Sequence, residues 1–135
     1  MSALISELKA DHAKITETLD QVRKMGIASK EGQRLLMSAK GFLVAHLSKE
    51  DKRLYPELRK IAETDDSVRR MLDTYAKDMD QITASALGFF EKYANGGDGV
   101  EFAIEIGRLF AALTQRIKKE EAFLYTTYED HGRGH

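Results

Sequence analysis

Two segments of this chain match each other when one is shifted by 70 positions. The shift superposes Glu50 on Glu120, Tyr55 on Tyr125, Lys49 on Lys119 and Leu54 on Leu124, and it places His46 on Arg116. Both glutamates stand where helical spacing calls for apolar residues. The two halves of the chain are therefore expected to fold alike, and each half must compensate a carboxylate in its interior.

Helical periodicity extends along almost the whole chain and is interrupted in three places. Each interruption combines a turn former with a residue suited to cap a helix: Ser29 in 25–29, Asp65 or Asp66 in 63–67, and Asp98 in 95–99. The helices expected between them are 2–25, 30–63, 66–94 and 99–129. Short connections between long helices make neighbours antiparallel. The sequence therefore predicts an all-α protein, an antiparallel up-down-up-down four-helix bundle over residues 1–130 with a frayed tail at 131–135.

Residues at spacings of three and four form one apolar stripe on each helix. Met79 belongs to the third stripe and Phe123 to the fourth, so both are expected in the core. Pro56 should bend or interrupt the second helix, because it lacks an N–H and crowds a carbonyl. Tyr55 and Tyr125 are expected to pack, with their hydroxyls toward solvent or toward the layer of ionisable residues described next. Five ionisable residues lie within the otherwise apolar stripes: His12, His46, Glu50, Arg116 and Glu120.

These ionisable residues should meet in one layer of the bundle. A helix rises about 1.5 Å per residue, so positions equally distant from a shared turn lie at the same level. The positions matched in this way are His12 with His46 across the first turn, Glu50 with Met79 across the second, and Met79 with Arg116 across the third. Isolated buried charges are unfavourable, so the layer requires either a bound cation or a closed salt-bridge network.

The composition excludes several classes of protein. The 135 residues include no cysteine, which excludes disulfides, thiolate metal sites and thiol nucleophiles. A net charge of −1, with lysines and acids interleaved, gives no nucleic-acid footprint. The N-terminus lacks the features of a signal peptide, and no apolar run approaches the length of a membrane span. We therefore expect a cytoplasmic protein that binds neither nucleic acid nor membrane.

The spacing of the ionisable residues resembles that of the hemerythrin-like HHE cation-binding domains. That family carries a histidine on helix one, His-x-x-x-Glu on helix two, a histidine on helix three and His-x-x-x-Glu on helix four. The first half of the pattern is present as Asp11-His12, His46 through Glu50, and Leu54-Tyr55-Pro56. In the second half, Met79 and Arg116 stand where the histidines belong, and Glu120 is kept. The resemblance covers about residues 4–130 and implies a non-haem metal site.

The two departures change what the family's di-iron site can hold. Arg116 is a permanent cation without a lone pair, so it repels a second metal ion. The remaining donors suit one non-haem iron or zinc ion: His12, His46, Glu50 and Glu120. The resemblance then implies metal binding, with O2 or NO binding or sensing at an open position. In this hypothesis Arg116 replaces the second metal electrostatically and hydrogen-bonds Glu120 or Glu50.

Simpler interpretations stay open. Met79 is most simply core filler, and His12 could be a satisfied core histidine. Arg116 with the two glutamates could form a buried salt bridge in a metal-free bundle that serves as a signalling or protein-interaction module. An enzyme is the weaker alternative, because no catalytic or cofactor-binding constellation occurs outside the layer. His131 and His135 in the tail could bind metal adventitiously.

Overall fold

Four helical rods make up the protein, which is described by a computed structural model over residues 2–97 and 99–132. The α-helices are α1 (Ala3–Met25), α2 (Lys30–Lys49), α3 (Tyr55–Ala62), α4 (Asp66–Lys92), α5 (Val100–Lys119) and α6 (Tyr125–Gly132). One π-helical turn, Glu50–Leu54, joins α2 to α3, and another, Glu120–Leu124, joins α5 to α6. The described ranges contain no strand, so the predicted all-α four-helix bundle is confirmed.

The connections between rods have the expected capping chemistry. The Ser29 hydroxyl accepts the Gly32 N–H at 3.0 Å before α2, and the Asp65 carboxylate accepts two backbone N–H groups at the start of α4. Gly26 ends α1 with a φ of 76°, a conformation that L side chains rarely adopt. Asp98, the expected cap of the fourth rod, lies outside the described residues. So do residues 133–135 of the expected tail, whereas α6 continues to Gly132.

The two π-helical turns begin at the duplicated glutamates. In each, the N–H of the following tyrosine donates to the carbonyl of the glutamate five residues earlier, Tyr55 to Glu50 and Tyr125 to Glu120. Pro56 lies two residues after the end of the first turn, so the interruption expected in the second helix is present. Thr126 occupies the matching position after the second turn. The turn therefore forms without a proline and belongs to the duplicated pattern.

Two apolar cores lie on opposite sides of the ionisable layer. The first core includes Ile15, Leu36, Leu43, Phe90 and Ile106. The second core includes Leu4, Leu8, Leu54, Leu72 and Leu124. Each core draws side chains from all four rods, so the layer is a polar slab across an otherwise apolar bundle.

Two side chains expected in the core are not fully buried. Phe123 is 53% exposed, whereas Leu124 is 0% exposed. The prediction for Phe123 was wrong because the π-helical turn inserts one residue into the helical repeat and moves the inward position from 123 to 124. Met79 is only half-buried, as is its neighbour Ile82, because an open groove separates this part of α4 from α5. Met79 therefore borders the interior and does not fill it.

Candidate metal centre

The five ionisable residues converge in one layer. His12 comes from α1, His46 from α2 and Arg116 from α5, while Glu50 and Glu120 begin the two π-helical turns. All five are between 1% and 3% exposed. The spacing of four residues from His46 to Glu50 and from Arg116 to Glu120 places each pair on one helix face. Side chains from three rods thus meet away from solvent.

The two histidines face each other through their Nε2 atoms, which are 3.0 Å apart. On the outer side of each ring a carboxylate is in contact with Nδ1. Glu121 Oε2 is 2.8 Å from His12 Nδ1, and Asp11 Oδ2 is 3.0 Å from His46 Nδ1 and accepts a hydrogen bond from Lys49. A carboxylate accepts hydrogen bonds, so these contacts place a proton on Nδ1 of both rings, which is the Nδ1–H tautomer where the ring is neutral. Two Nε2 lone pairs then oppose each other.

The Tyr125 hydroxyl lies at the centre of the layer. It is 3.0 Å from His12 Nε2, 2.9 Å from Glu50 Oε2 and 3.2 Å from Glu120 Oε2. A single O–H donates to one acceptor at a time, so these contacts cannot all be satisfied by it. Glu50 Oε1 has no hydrogen-bond partner in the described structure and lies 3.5 Å from His46 Nε2. The layer therefore holds more acceptors than donors.

Burial acts against charge on the groups of this layer. Burial raises the pKa of the Glu120 carboxyl well above its usual range, and the neighbouring Glu50 carboxyl adds to the shift. Burial also raises the pKa of Glu50 and lowers that of His12. Without a counter-charge, these groups favour their neutral forms. A bound cation would reverse that preference at the carboxylates.

Arg116 is oriented differently from the prediction. One of its Nη2 N–H groups donates to the Tyr75 carbonyl at 3.2 Å, and the guanidinium lies 4.7 Å from the centre of the Tyr75 ring. Its Nε is 3.6 Å from Glu120 Oε1, too far for a hydrogen bond. The predicted hydrogen bond to Glu120 or Glu50 was therefore wrong, because the carbonyl of α4 draws the guanidinium away. What remains is a buried ion pair.

The donor set of the layer fits one divalent cation. Ligand atoms of His12, His46, Glu50 and Glu120 all lie within 4.8 Å of one another. Imidazole nitrogens and carboxylate oxygens bind Zn²⁺ at about 2.0–2.2 Å, so a group of this width can surround a single ion. A cation would bind the two opposed Nε2 lone pairs and the Glu50 oxygen that has no hydrogen-bond partner among the described residues. The second half of the layer has a guanidinium in place of a donor.

The family model of the hemerythrin HHE cation-binding domain matches residues 3–128. The chain belongs to this family. No curated protein and no solved structure matches the chain. Membership of the HHE family and the four-residue cluster both indicate that the domain binds a metal cation. Along the described ranges, no helix of the HHE domain is long and apolar enough to cross a bilayer.

A small cavity adjoins the layer of this HHE domain. The volume in which the centre of a water molecule fits is about 20 Å³, so the cavity has room for about one water. Its ionisable lining comes from His12, His46, Arg116 and Glu120, and Met79 forms part of its wall. The rest of the wall is largely aliphatic, with residues such as Ile15 and Leu113. The cavity is therefore a small, mostly apolar pocket with ionisable groups on one side.

Sequence reasoning missed the contacts of two residues in the HHE domain, Asp11 and Glu121, and left the direction of the Tyr125 hydroxyl open. The Tyr125 hydroxyl was expected toward the layer or solvent, and it points into the layer, where it contacts three of its members. The outer carboxylates of Asp11 and Glu121 were not assigned to the histidines. The sequence does mark these three residues, because Asp11 precedes His12, Glu121 follows Glu120, and Tyr125 is duplicated as Tyr55. The structure does not repeat the arrangement at Tyr55, whose buried hydroxyl finds no hydrogen-bond partner among the described residues.

Proposed function

We propose that this HHE domain holds a single non-haem iron or zinc ion coordinated by His12, His46, Glu50 and Glu120. The observation that carries the proposal is the 3.0 Å approach of two Nε2 atoms whose Nδ1 partners are both carboxylates. In this tautomer the Nε2 lone pairs repel each other unless a cation lies between them. A cation would also neutralise the two buried carboxylates.

One ion is proposed because the second half of the layer offers no further imidazole. Met79 supplies a thioether, which is a weak ligand for iron or zinc beside carboxylates. Arg116 supplies a positive charge that lies 3.6 Å from Glu120 and opposes a second cation. The family's second metal position is therefore taken by a protein charge.

We further propose that the domain binds or senses O2 or NO. Bound iron would supply an open coordination position for such a ligand. The protein would keep bulk water away from that position and limit the space beside it. The aliphatic wall of the cavity excludes bulk water, and its volume, about that of one water molecule, limits the ligand to the smallest molecules. The Tyr125 hydroxyl is placed to donate a hydrogen bond into the layer.

The metal content of untagged, full-length protein tests the proposal. Elemental analysis after dialysis should give one ion per chain, and His46→Ala should reduce this content to a small fraction. His131→Ala is the matched control, because it removes an exposed imidazole at the end of α6 and should leave the content unchanged. Exposure of the iron-loaded protein to NO should then produce a new electron paramagnetic resonance signal.

The outcomes separate the alternatives. A content that stays near zero after incubation with Fe²⁺ or Zn²⁺ would support the metal-free bundle with a buried salt bridge, which acts as an interaction module. A content of two ions would contradict the role given to Arg116. Loss of metal in His131→Ala but not in His46→Ala would show that the tail, not the layer, holds the ion.

A further inference from the structure

The Tyr125 hydroxyl has more neighbours than one hydroxyl proton can serve. Its oxygen lies 3.0 Å from His12 Nε2, 2.9 Å from Glu50 Oε2 and 3.2 Å from Glu120 Oε2. All three are acceptors when His12 carries its proton on Nδ1, and a hydroxyl donates one proton to one acceptor at a time. Hydrogen bonding therefore accounts for one of the three contacts and leaves two unexplained.

The same contacts have the spacing of ligand atoms around one metal ion. Zinc bonds to imidazole nitrogen and carboxylate oxygen are about 2.0–2.2 Å long, so ligand atoms at right angles stand about 2.8–3.1 Å apart. The Tyr125 oxygen keeps close to this separation from three candidate ligands, and the Nε2 atoms of His12 and His46 are also 3.0 Å apart. Tyr125 thus stands where a fifth donor atom of the candidate metal centre would stand.

The π-helical turn that begins at Glu120 brings Tyr125 to this place. In a regular α-helix, a residue five positions after another lies about 140° away from it around the axis. The Tyr125 N–H donates to the Glu120 carbonyl, so one extra residue completes the turn and Tyr125 comes back towards the face that carries Glu120. Tyr55 follows the first π-helical turn in the same way, but its buried hydroxyl has no hydrogen-bond partner within the described ranges.

The charges around the layer distinguish the two oxidation states of iron. Fe²⁺ and Arg116 carry three positive charges, and the two glutamates of the layer, together with Glu121 against the first histidine, carry three negative ones. Asp11 is compensated by Lys49. The ferrous layer is therefore neutral with a protonated Tyr125. Fe³⁺ adds one positive charge, which is unfavourable in a buried layer unless a phenolate cancels it.

We propose that Tyr125 is a redox-dependent fifth ligand of the iron: its hydroxyl hydrogen-bonds within the layer when the iron is ferrous, and its phenolate oxygen binds the iron when it is ferric. This inference rests on the proposed metal binding and adds a ligand to it. Tyrosine oxygen is an iron ligand in some haem proteins. On oxidation, Fe²⁺ gives one electron to a one-electron acceptor such as ferricyanide, the O–H bond of Tyr125 breaks, its proton passes to solvent, and the oxygen forms a bond to Fe³⁺.

Optical and resonance Raman spectra of iron-loaded, full-length protein test the proposal. Chelator-treated protein receives one Fe²⁺ per chain without oxygen, and the iron is then oxidised with one equivalent of ferricyanide. We expect a visible charge-transfer band in the ferric protein, and excitation in this band should enhance the ring vibrations of a coordinated tyrosine. The ferrous protein should show neither signal.

Two phenylalanine variants identify the ligand. Tyr125→Phe should lose the band while elemental analysis still finds one iron per chain, because the other four donors remain. Tyr55→Phe is the matched control, since it removes a buried hydroxyl at the duplicated position that has no hydrogen-bond partner among the described residues. Tyr55→Phe should keep the band and the iron.

The remaining tyrosines keep the test decisive if Tyr125→Phe does not fold. The chain has five tyrosines, and replacing each of the other four by phenylalanine in turn should leave the band in place. A ferric protein without the band, a band that survives in Tyr125→Phe, or its loss in another tyrosine variant would overturn the proposal and leave the metal binding intact. Protein that holds zinc but no iron would also overturn this inference alone, whereas protein that holds neither would overturn the proposed function as well.

Discussion

Replacement of Arg116 by leucine should have opposite effects on the metal-free and the metal-loaded protein. Without metal, the substitution removes a charged hydrogen bond to the Tyr75 carbonyl, which contributes about 2 kcal/mol. It also removes the contact with the Tyr75 ring, about 1 kcal/mol, and the counter-charge of Glu120. Removal of the unpartnered N–H groups returns about 1–3 kcal/mol.

The quantified terms leave a net loss of about 0–2 kcal/mol in the metal-free protein, and the lost counter-charge of Glu120 puts the expected value at the upper end, about 2 kcal/mol. This is below the roughly 3–5 kcal/mol typical of breaking a hydrogen-bonded buried pair. The Arg116–Glu120 contact of 3.6 Å is not a hydrogen bond, and the raised pKa of Glu120 allows that carboxyl to take up a proton. At about 2.1 cal/mol/K of unfolding entropy per residue, this loss lowers the Tm by about 7 °C.

In the metal-loaded protein the sign reverses, because leucine removes a positive charge that opposes the cation. Arg116→Leu should therefore bind zinc at least tenfold more tightly and show a larger zinc-induced rise in Tm than the wild type. Circular dichroism melts in EDTA and in saturating zinc measure both effects. Arg108→Leu, at an exposed position of α5, should change stability by less than about 0.5 kcal/mol. A Tm of Arg116→Leu in EDTA equal to that of the wild type, or a smaller zinc-induced rise, would refute the reasoning.

Three further predictions follow from the layer. Met79→His combined with Arg116→His should raise the metal content towards two ions per chain by elemental analysis; a content that stays at one would mean that α4 stands too far away. Burial raises the pKa of Glu120, so the folded metal-free protein keeps a proton that the unfolded chain releases above its usual value of 4.5. The free energy of unfolding should therefore fall as the pH rises from 4.5 through the raised pKa, and Glu120→Gln should flatten that decline in urea titrations; an unchanged slope would contradict the shift. Asp11→Asn weakens the orientation of His46 and should lower zinc affinity about 10–100-fold in a chelator competition, unless the Asp11 contact plays no part in binding.

The positions of His12, His46, Glu50 and Glu120 could be predicted because they depend on quantities that the sequence records. The helical repeat decides the face on which each side chain lies, and the distance from a turn decides its level. The two segments related by the shift of 70 positions each placed an ionisable pair at the same level of the bundle. The fold itself followed from the same periodicity, together with the caps at Ser29 and Asp65.

The errors concern features of the backbone that side-chain patterns do not record. A π-helical turn inserts one residue without a distinctive composition, so Phe123 was placed inside and Leu124 was not. The direction of Arg116 depends on a carbonyl of α4, and no spacing rule indicates which carbonyl is within reach. Met79 was taken as buried because its stripe is apolar, but burial also requires α5 to close against α4.

The division of the interior into two apolar cores has a consequence for how the molecule opens. The second core is formed by the beginning of α1 and α4 and by the segments that follow the π-helical turns. Only the polar layer separates it from the first core. The second core has fewer buried residues than the first and includes the beginning of α1, so amide hydrogen exchange in metal-free protein should show it opening at lower free energy than the first. A cation that ties α1 and α2 to both π-helical turns would merge the two openings into one cooperative unit.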